Sequence, residues 1–247
     1  MVPTIMLTVH AFSPTATIEA VGEAPALPAD LAAEIELLWQ AEQERRGKTL
    51  FDGRILSAVE IGAERISGYV VEYRRFIAQK LRPGLFPALR VRPVAVSGLL
   101  RCADGILFGR RAEATTQDAG MWELAPSGGL DANGLDGQSR ADLKAQIMAE
   151  LREEVGLSPE KVFEVMPFCL VEDSESHVID IGMRLEAPGL AAEAVLSGHR
   201  ESASGEYSKL AVVAQANLAE FLARRSPGIV PVSQAILHEY QRLSRKG

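Results

Sequence analysis

The sequence predicts an α/β protein in which a mixed sheet lies between helices, preceded by a smaller α/β unit. Three observations carry this expectation. Strand-like apolar runs fall both before and after one long amphipathic helix at about residues 140–155, with further helices beyond. The stretch from Val94 to Arg111 reads as two strands joined at Ala103-Asp104-Gly105. The character of the chain also changes near Val91. Residues 1–90 are therefore expected to form an N-terminal α/β extension, and residues 91–247 the main domain with C-terminal helices.

Bulk properties narrow the function classes. A chain of 247 residues, 47% hydrophobic and 24% charged, has the composition of a globular protein with a full core. A net charge of -7 argues against a nucleic-acid footprint, which is normally basic. Cys102 and Cys169 are isolated from one another in apolar surroundings, so neither a zinc site nor a disulfide is expected. The N-terminus lacks a signal-peptide pattern, and no apolar run reaches the ~18 residues of a membrane span. A cytoplasmic location is the expectation.

In the first 90 residues, Ile5 to Phe12 alternates like a strand and Thr15 to Pro28 reads as a loop. Asp30 is placed to cap a helix running to Arg46, with Trp39 as a packing anchor. Arg54–Ile61 and Arg65–Val71 read as strands, and Glu72–Lys80 as a helix. In the main domain, Gly128-Gly129 marks a loop that permits close approach of a ligand. After the central helix come strands at Val162–Val171, His177–Leu185 and Leu210–Val213. A polar loop spans His199–Ser208, and helices follow at Leu218–Arg225 and Val232–Arg245.

The chemistry concentrates at the end of the central helix, in Ala149-Glu150-Leu151-Arg152-Glu153-Glu154-Val155-Gly156-Leu157. On an α-helix, Glu150, Glu153 and Glu154 are surface neighbours, and three like charges in one arc repel. A solvated acidic face is one explanation. A hard divalent cation bound by the carboxylates is the other, and the apolar stripe of Leu143, Ile147, Leu151 and Val155 borders this arc rather than opposing it. Gly156 suits the left-handed position that ends a helix.

From about Val91 to Arg225 the chain resembles the Nudix hydrolase family, whose signature is G-x5-E-x7-R-E-U-x-E-E-x-G-U with U a bulky aliphatic residue. A-E-L-R-E-E-V-G-L at 149–157 is similar to its second half. Val94–Arg111 is similar to the family's opening hairpin, M-W-E-L-A-P-S-G-G at 121–129 to the segment leading into the box, and E-Y-S-K-L-A-V-V at 206–213 to the acidic loop and strand that follow. The resemblance implies a Nudix-type α/β/α sandwich. Two departures stand out: the loop after Gly129 is about six residues longer than the family spacing, and Ala149 replaces the family arginine. The absence of that arginine implies either weakened activity or a substitute cation such as Lys144 or Arg152.

The resemblance implies Mg²⁺, with Mn²⁺ as the alternative, held by Glu150, Glu153 and Glu154, which are also the implied catalytic residues together with Glu206. Arg111, Gly128, Gly129 and Glu201 are the implied substrate-binding positions, and either a box glutamate or an acid of the later loop serves as base. Trp39, L-F-D-G-R and Y-V-V-E-Y-R-R-F resemble the extension of UDP-sugar pyrophosphatases. The expected activity is Mg²⁺-dependent hydrolysis of the diphosphate linkage of a nucleoside diphosphate sugar to a nucleoside monophosphate and a sugar phosphate. ADP-ribose or another dinucleotide is the alternative substrate, and a nucleotide-binding sensor the alternative role. A nucleotide-linked small molecule is the expected partner, and a homodimer the assembly suggested by the resemblance.

Overall fold

The computed structural model describes residues 6–202 and 205–245, and the side chains of all of these except 200–202. In chain order the strands and helices are β1 (Leu7–Ala11), β2 (Thr17–Glu23), α1 (Ala29–Arg45), β3 (Arg54–Ile61), β4 (Arg65–Glu72), α2 (Tyr73–Leu81) and α3 (Phe86–Leu89). The chain continues with β5 (Val94–Cys102), β6 (Gly105–Arg111), β7 (Trp122–Leu124), β8 (Ser127–Gly129), α4 (Leu143–Glu150), β9 (Glu164–Asp173) and β10 (Ile179–Ala187). It ends with α5 (Ala192–Ser202), β11 (Tyr207–Val213), α6 (Leu218–Arg225) and α7 (Pro231–Ser244).

The main sheet is mixed, in the order β1-β9-β10-β5-β6-β11, with β7 added to β6 and β8 to β5. Its alternating side chains feed two cores. Val94, Val96, Leu100 and Leu107 pack with Ile147, Leu151, Val155 and Val195 on the side of α4 and α5. Leu99, Ile106, Phe108 and Trp122 pack with Leu218, Ile236 and Leu237 on the side of α6 and α7. The result is the α/β/α sandwich that the sequence predicts. Burying such aliphatic side chains contributes about 1.5–3 kcal/mol each, which fixes the sheet edge where the glycine loop lies. Among the described residues, no helix is long and apolar enough to cross a membrane.

A second sheet within the first 90 residues is ordered β2-β4-β3, with β2 parallel to β4 and β3 antiparallel to it. Two expectations need correction here. Thr17–Glu23 is a strand, not a loop, because its backbone is satisfied by distant β4 rather than by any local apolar pattern. β1 does not belong to the small unit but pairs with β9 at the edge of the main sheet. The two sheets also share one core, since Ile18, Leu56 and Ile66 pack in the same cluster as Ile147 and Leu151. Leu56 donates its backbone N–H to the Leu130 carbonyl at 2.9 Å, which ties the small sheet to the loop after Gly129.

Helix boundaries differ in ways that chemistry explains. α1 starts at Ala29 with Pro28 before it, so Asp30 sits in the first turn, where its charge complements the helix dipole instead of capping. Trp39 is buried as a packing anchor, with the Arg74 guanidinium 5.9 Å from its ring centre. α4 begins at Leu143, capped by Asp142, whose carboxylate accepts from the Ala145 N–H at 2.9 Å. The polar segment expected as a loop from His199 is helical to Ser202, as the end of α5.

Candidate active site

The acidic helix does not remain α-helical. Leu151–Val155 forms a π-helical turn that ends at Gly156, whose φ of 74° supplies the left-handed stop. A wider turn advances each residue by a smaller angle, so Glu154 stays in line with Glu150 while Glu153 swings away. Glu154 is buried, whereas Glu153 is exposed and does not line the cavity that Glu150 and Glu154 face. The three carboxylates expected on one arc therefore separate into a facing pair and an outlier. Among the described residues, no three His, Cys, Asp or Glu side chains gather closely enough to hold one metal ion.

The Glu150–Glu154 pair lies against the glycine loop. A side chain at Gly128 would overlap the Glu150 carboxylate, so only a glycine lets that group reach the backbone of β8. Gly129 is exposed and has open space where a Cβ would stand. The Ser127 N–H donates to Glu154 Oε2 at 2.9 Å. Gln146, one turn before Glu150, donates through Nε2 to Glu150 Oε1 at 2.7 Å and to the Gly129 carbonyl at 3.3 Å. Gln146 thus braces Glu150, the role expected of Lys144 or Arg152. Both of those cations are exposed and form no ion pair among the described residues.

Burial dominates the electrostatics. Desolvation raises the Glu150 carboxyl to about 7, opposed by the Gln146 hydrogen bond and reinforced by the charges of Glu153 and Glu206. Desolvation raises Glu154 to about 9, opposed by the Ser127 N–H and reinforced by Glu150, Glu123 and Glu206. Glu154 is buried and Glu150 half-buried, and both accept hydrogen bonds but form no ion pair among the described residues.

The neighbouring arginine is committed elsewhere. Arg111 sits at the end of β6, 2.6 Å from Glu123 Oε1 and 2.8 Å from Glu206 Oε1, and its Nε donates to the Gln117 carbonyl at 2.9 Å. Glu123 is buried and also accepts from the Ser127 hydroxyl at 3.1 Å, which lies 3.3 Å from the Tyr207 hydroxyl. Desolvation raises Glu123 against the opposing pull of Arg111, and raises Tyr207 well above the usual phenol range. Arg111, Glu123, Ser127, Tyr207 and Glu154 thus form one connected network along the edge of the glycine loop.

Around these groups lies one cavity of about 780 Å³. Of the expected site residues, Arg111, Gly128, Gly129, Glu150, Glu154 and Glu206 all line it, and Glu153 does not. Glu201 falls on α5, with its side chain outside the described residues. Other lining groups carried no expected role: Ser127 within the 121–129 segment, Lys80 and Gln79 from α2, and Asp180. Asp180 accepts from the Ser97 hydroxyl at 2.8 Å, and burial raises its carboxyl to about 6. Only the alternation of β5 and β10 hinted that Ser97 and Asp180 share a face. Trp122 is buried in the core and supports the loop from behind.

No family model and no curated protein matches this chain. In fold it is similar to DR0079 of Deinococcus radiodurans, with 12% identity over 76% of this chain and 99% of that one, at a TM-score of 0.47. It is also similar to the Nudix domain of Shewanella oneidensis NrtR, solved with ADP ribose, with 16% identity over 64% and 92% and a TM-score of 0.45. A Nudix hydrolase from Nitrosomonas europaea follows, with 15% identity over 61% and 88% and a TM-score of 0.39.

Proposed function

We propose that the chain is a Mg²⁺-dependent pyrophosphatase that hydrolyses the diphosphate linkage of a nucleoside diphosphate sugar to a nucleoside monophosphate and a sugar phosphate. The observation that carries this reading is the pair of half-buried Glu150 and buried Glu154, without an ion-pair partner among the described residues and facing a cavity beside a glycine that makes room for one of them. Two uncompensated carboxylates suit Mg²⁺, which binds through one or two protein carboxylates and completes its shell with water and substrate phosphate. Glu150 and Glu154 would hold the ion; Glu153 does not fit as a third ligand. When bound, the ion supplies charge neutralisation of the phosphoryl oxygens and a lowered pKa for water.

The chain's own residues divide the remaining work. Glu123 fixes Arg111, and Arg111 in turn holds the Glu206 side chain at the cavity wall. Glu206 is the base in this reading, taking the proton from the attacking water. The Gly129 backbone, open above and beside the Glu150 carboxylate that lies over Gly128, receives the diphosphate in this reading. A volume of about 780 Å³ lies within the ~300–1,000 Å³ typical of small-molecule sites and admits a nucleotide carrying a second ring.

A second reading has its own support. Ala149 in place of an arginine, and Glu153 turned away, suit a domain that binds a nucleotide without turning it over. Incubation with Mg²⁺ and a panel of UDP-sugars, ADP-ribose, NADH and nucleoside triphosphates separates the two. Release of a monophosphate from at least one diphosphate-linked compound supports the enzyme; tight binding without release across the panel supports the sensor.

A further inference from the structure

We propose that Lys80, a residue of the N-terminal unit, contacts the anionic diphosphate of the ligand from the wall of the cavity. The inference rests on the pyrophosphatase reading of the same site and names the chain's own source of positive charge for it. Among the described residues, eight side chains lining the cavity are carboxylates, against one lysine, Lys80, and one arginine, Arg111; burial lowers the Lys80 pKa, opposed by the nearby Asp118 charge. Such a cavity repels a diphosphate unless cations remain available to it. Arg111 is not available: its guanidinium is divided among Glu123, Glu206 and the Gln117 carbonyl.

Lys80 is placed differently. Its Nζ donates to the Thr116 carbonyl at 3.2 Å, and no carboxylate among the described residues forms an ion pair with it. An ammonium has three donors, so two remain for a ligand. Thr116 and Gln117 are adjacent, so the same loop holds Lys80 through one carbonyl and Arg111 through the next. The stem of Lys80 is also anchored. It occupies the last turn of α2, next to Gln79, whose buried side chain donates to the Val91 carbonyl at 2.8 Å and accepts from the Val91 N–H at 3.0 Å. That clamp fixes α2 against the start of β5, whose partner strand β8 carries Gly128. α2 thereby presents one cation to a cavity lined mainly by carboxylates.

The test uses the full chain, Lys80→Gln and Lys80→Arg, with inorganic pyrophosphate titrated in Mg²⁺ buffer by calorimetry. A hydrogen bond to a charged group contributes enough for Lys80→Gln to weaken binding by about tenfold or more. Lys80→Arg keeps the charge and should stay within about threefold of the parent. Where the parent turns over a nucleoside diphosphate sugar, Lys80→Gln should raise KM by a similar factor with a smaller change in kcat. Absence of pyrophosphate binding by the parent, unchanged binding in Lys80→Gln, or equal losses in both variants would overturn the proposal. Lys80-dependent binding without turnover of any compound would instead leave Lys80 standing and remove the pyrophosphatase reading.

Discussion

The Glu150 carboxylate occupies the space in which a Gly128 side chain would stand. One residue's absence of a Cβ thus determines where another residue's charge can go. Gly128→Ala must push Glu150 off the β8 backbone, and displacements near 1 Å can cost roughly 100-fold in rate. Gly129→Ala meets no protein atom within 4 Å, so it leaves Glu150 in place and should keep kcat, while its Cβ enters the space assigned to the diphosphate and should raise KM. Steady-state assays of the two variants side by side check this. Equal effects would show that the glycines matter through flexibility and not through space.

Glu123 is buried and Arg111 largely so, with 8% and 15% of their side chains exposed. Removing one partner of a buried pair leaves an uncompensated charge, at a cost of about 3–5 kcal/mol. Arg111→Met should therefore lower stability by that order in denaturant unfolding. Adding Glu123→Gln should restore a large part of it, because the stranded charge is gone. Failure of the second substitution to recover stability would mean that Arg111 acts through Glu206 or through the loop carbonyl.

Glu150 and Glu154 have folded pKa values of about 7 and about 9 against an ordinary 4.5, with desolvation the largest cause in each. The metal-free folded state therefore holds protons that the unfolded chain releases. Their contribution to stability is complete below about 4.5 and is lost as pH rises toward 7 for Glu150 and 9 for Glu154. Glu154→Gln should raise metal-free stability at pH 8 by roughly 1–3 kcal/mol, with little effect at pH 4.5. Mg²⁺ must displace the same protons, so its affinity should rise across pH 6 to 9 with proton release. Unfolding and calorimetric titrations at several pH values measure both. A pH-independent Mg²⁺ affinity would contradict the assignment.

Gln146 lowers the Glu150 pKa through its hydrogen bond. Gln146→Ala should move the alkaline-side dependence of Mg²⁺ binding to higher pH and weaken it by about threefold to tenfold, as expected for losing about 1 kcal/mol. Lys144→Ala and Arg152→Ala, both at exposed positions, should leave it unchanged.

The sequence made the layered architecture legible because the hairpin, the apolar strands and the stripe of the central helix are all local periodic signals. β2 escaped it because its pairing with β4 is non-local and its residues carry no strong alternation. The π-helical turn at Leu151–Val155 escaped it because the apolar positions fit an ordinary helix equally well. That single change of pitch separates Glu153 from Glu150 and Glu154. Gly128 and the acidic run were legible as motifs, but Ser127, Gln146 and Lys80 were not, since their roles depend on which backbone or charge faces them across the fold.

The most direct measurement compares Mg²⁺-dependent release of nucleoside monophosphate from a UDP-sugar by the parent chain, Glu154→Gln and Glu153→Gln. The geometry predicts that Glu154→Gln loses activity by about 100-fold or more, while Glu153→Gln, on the exposed side of the π-helical turn, stays within about threefold. Full activity in Glu154→Gln, or an equal collapse in Glu153→Gln, would contradict the placement of the metal-binding pair at Glu150 and Glu154.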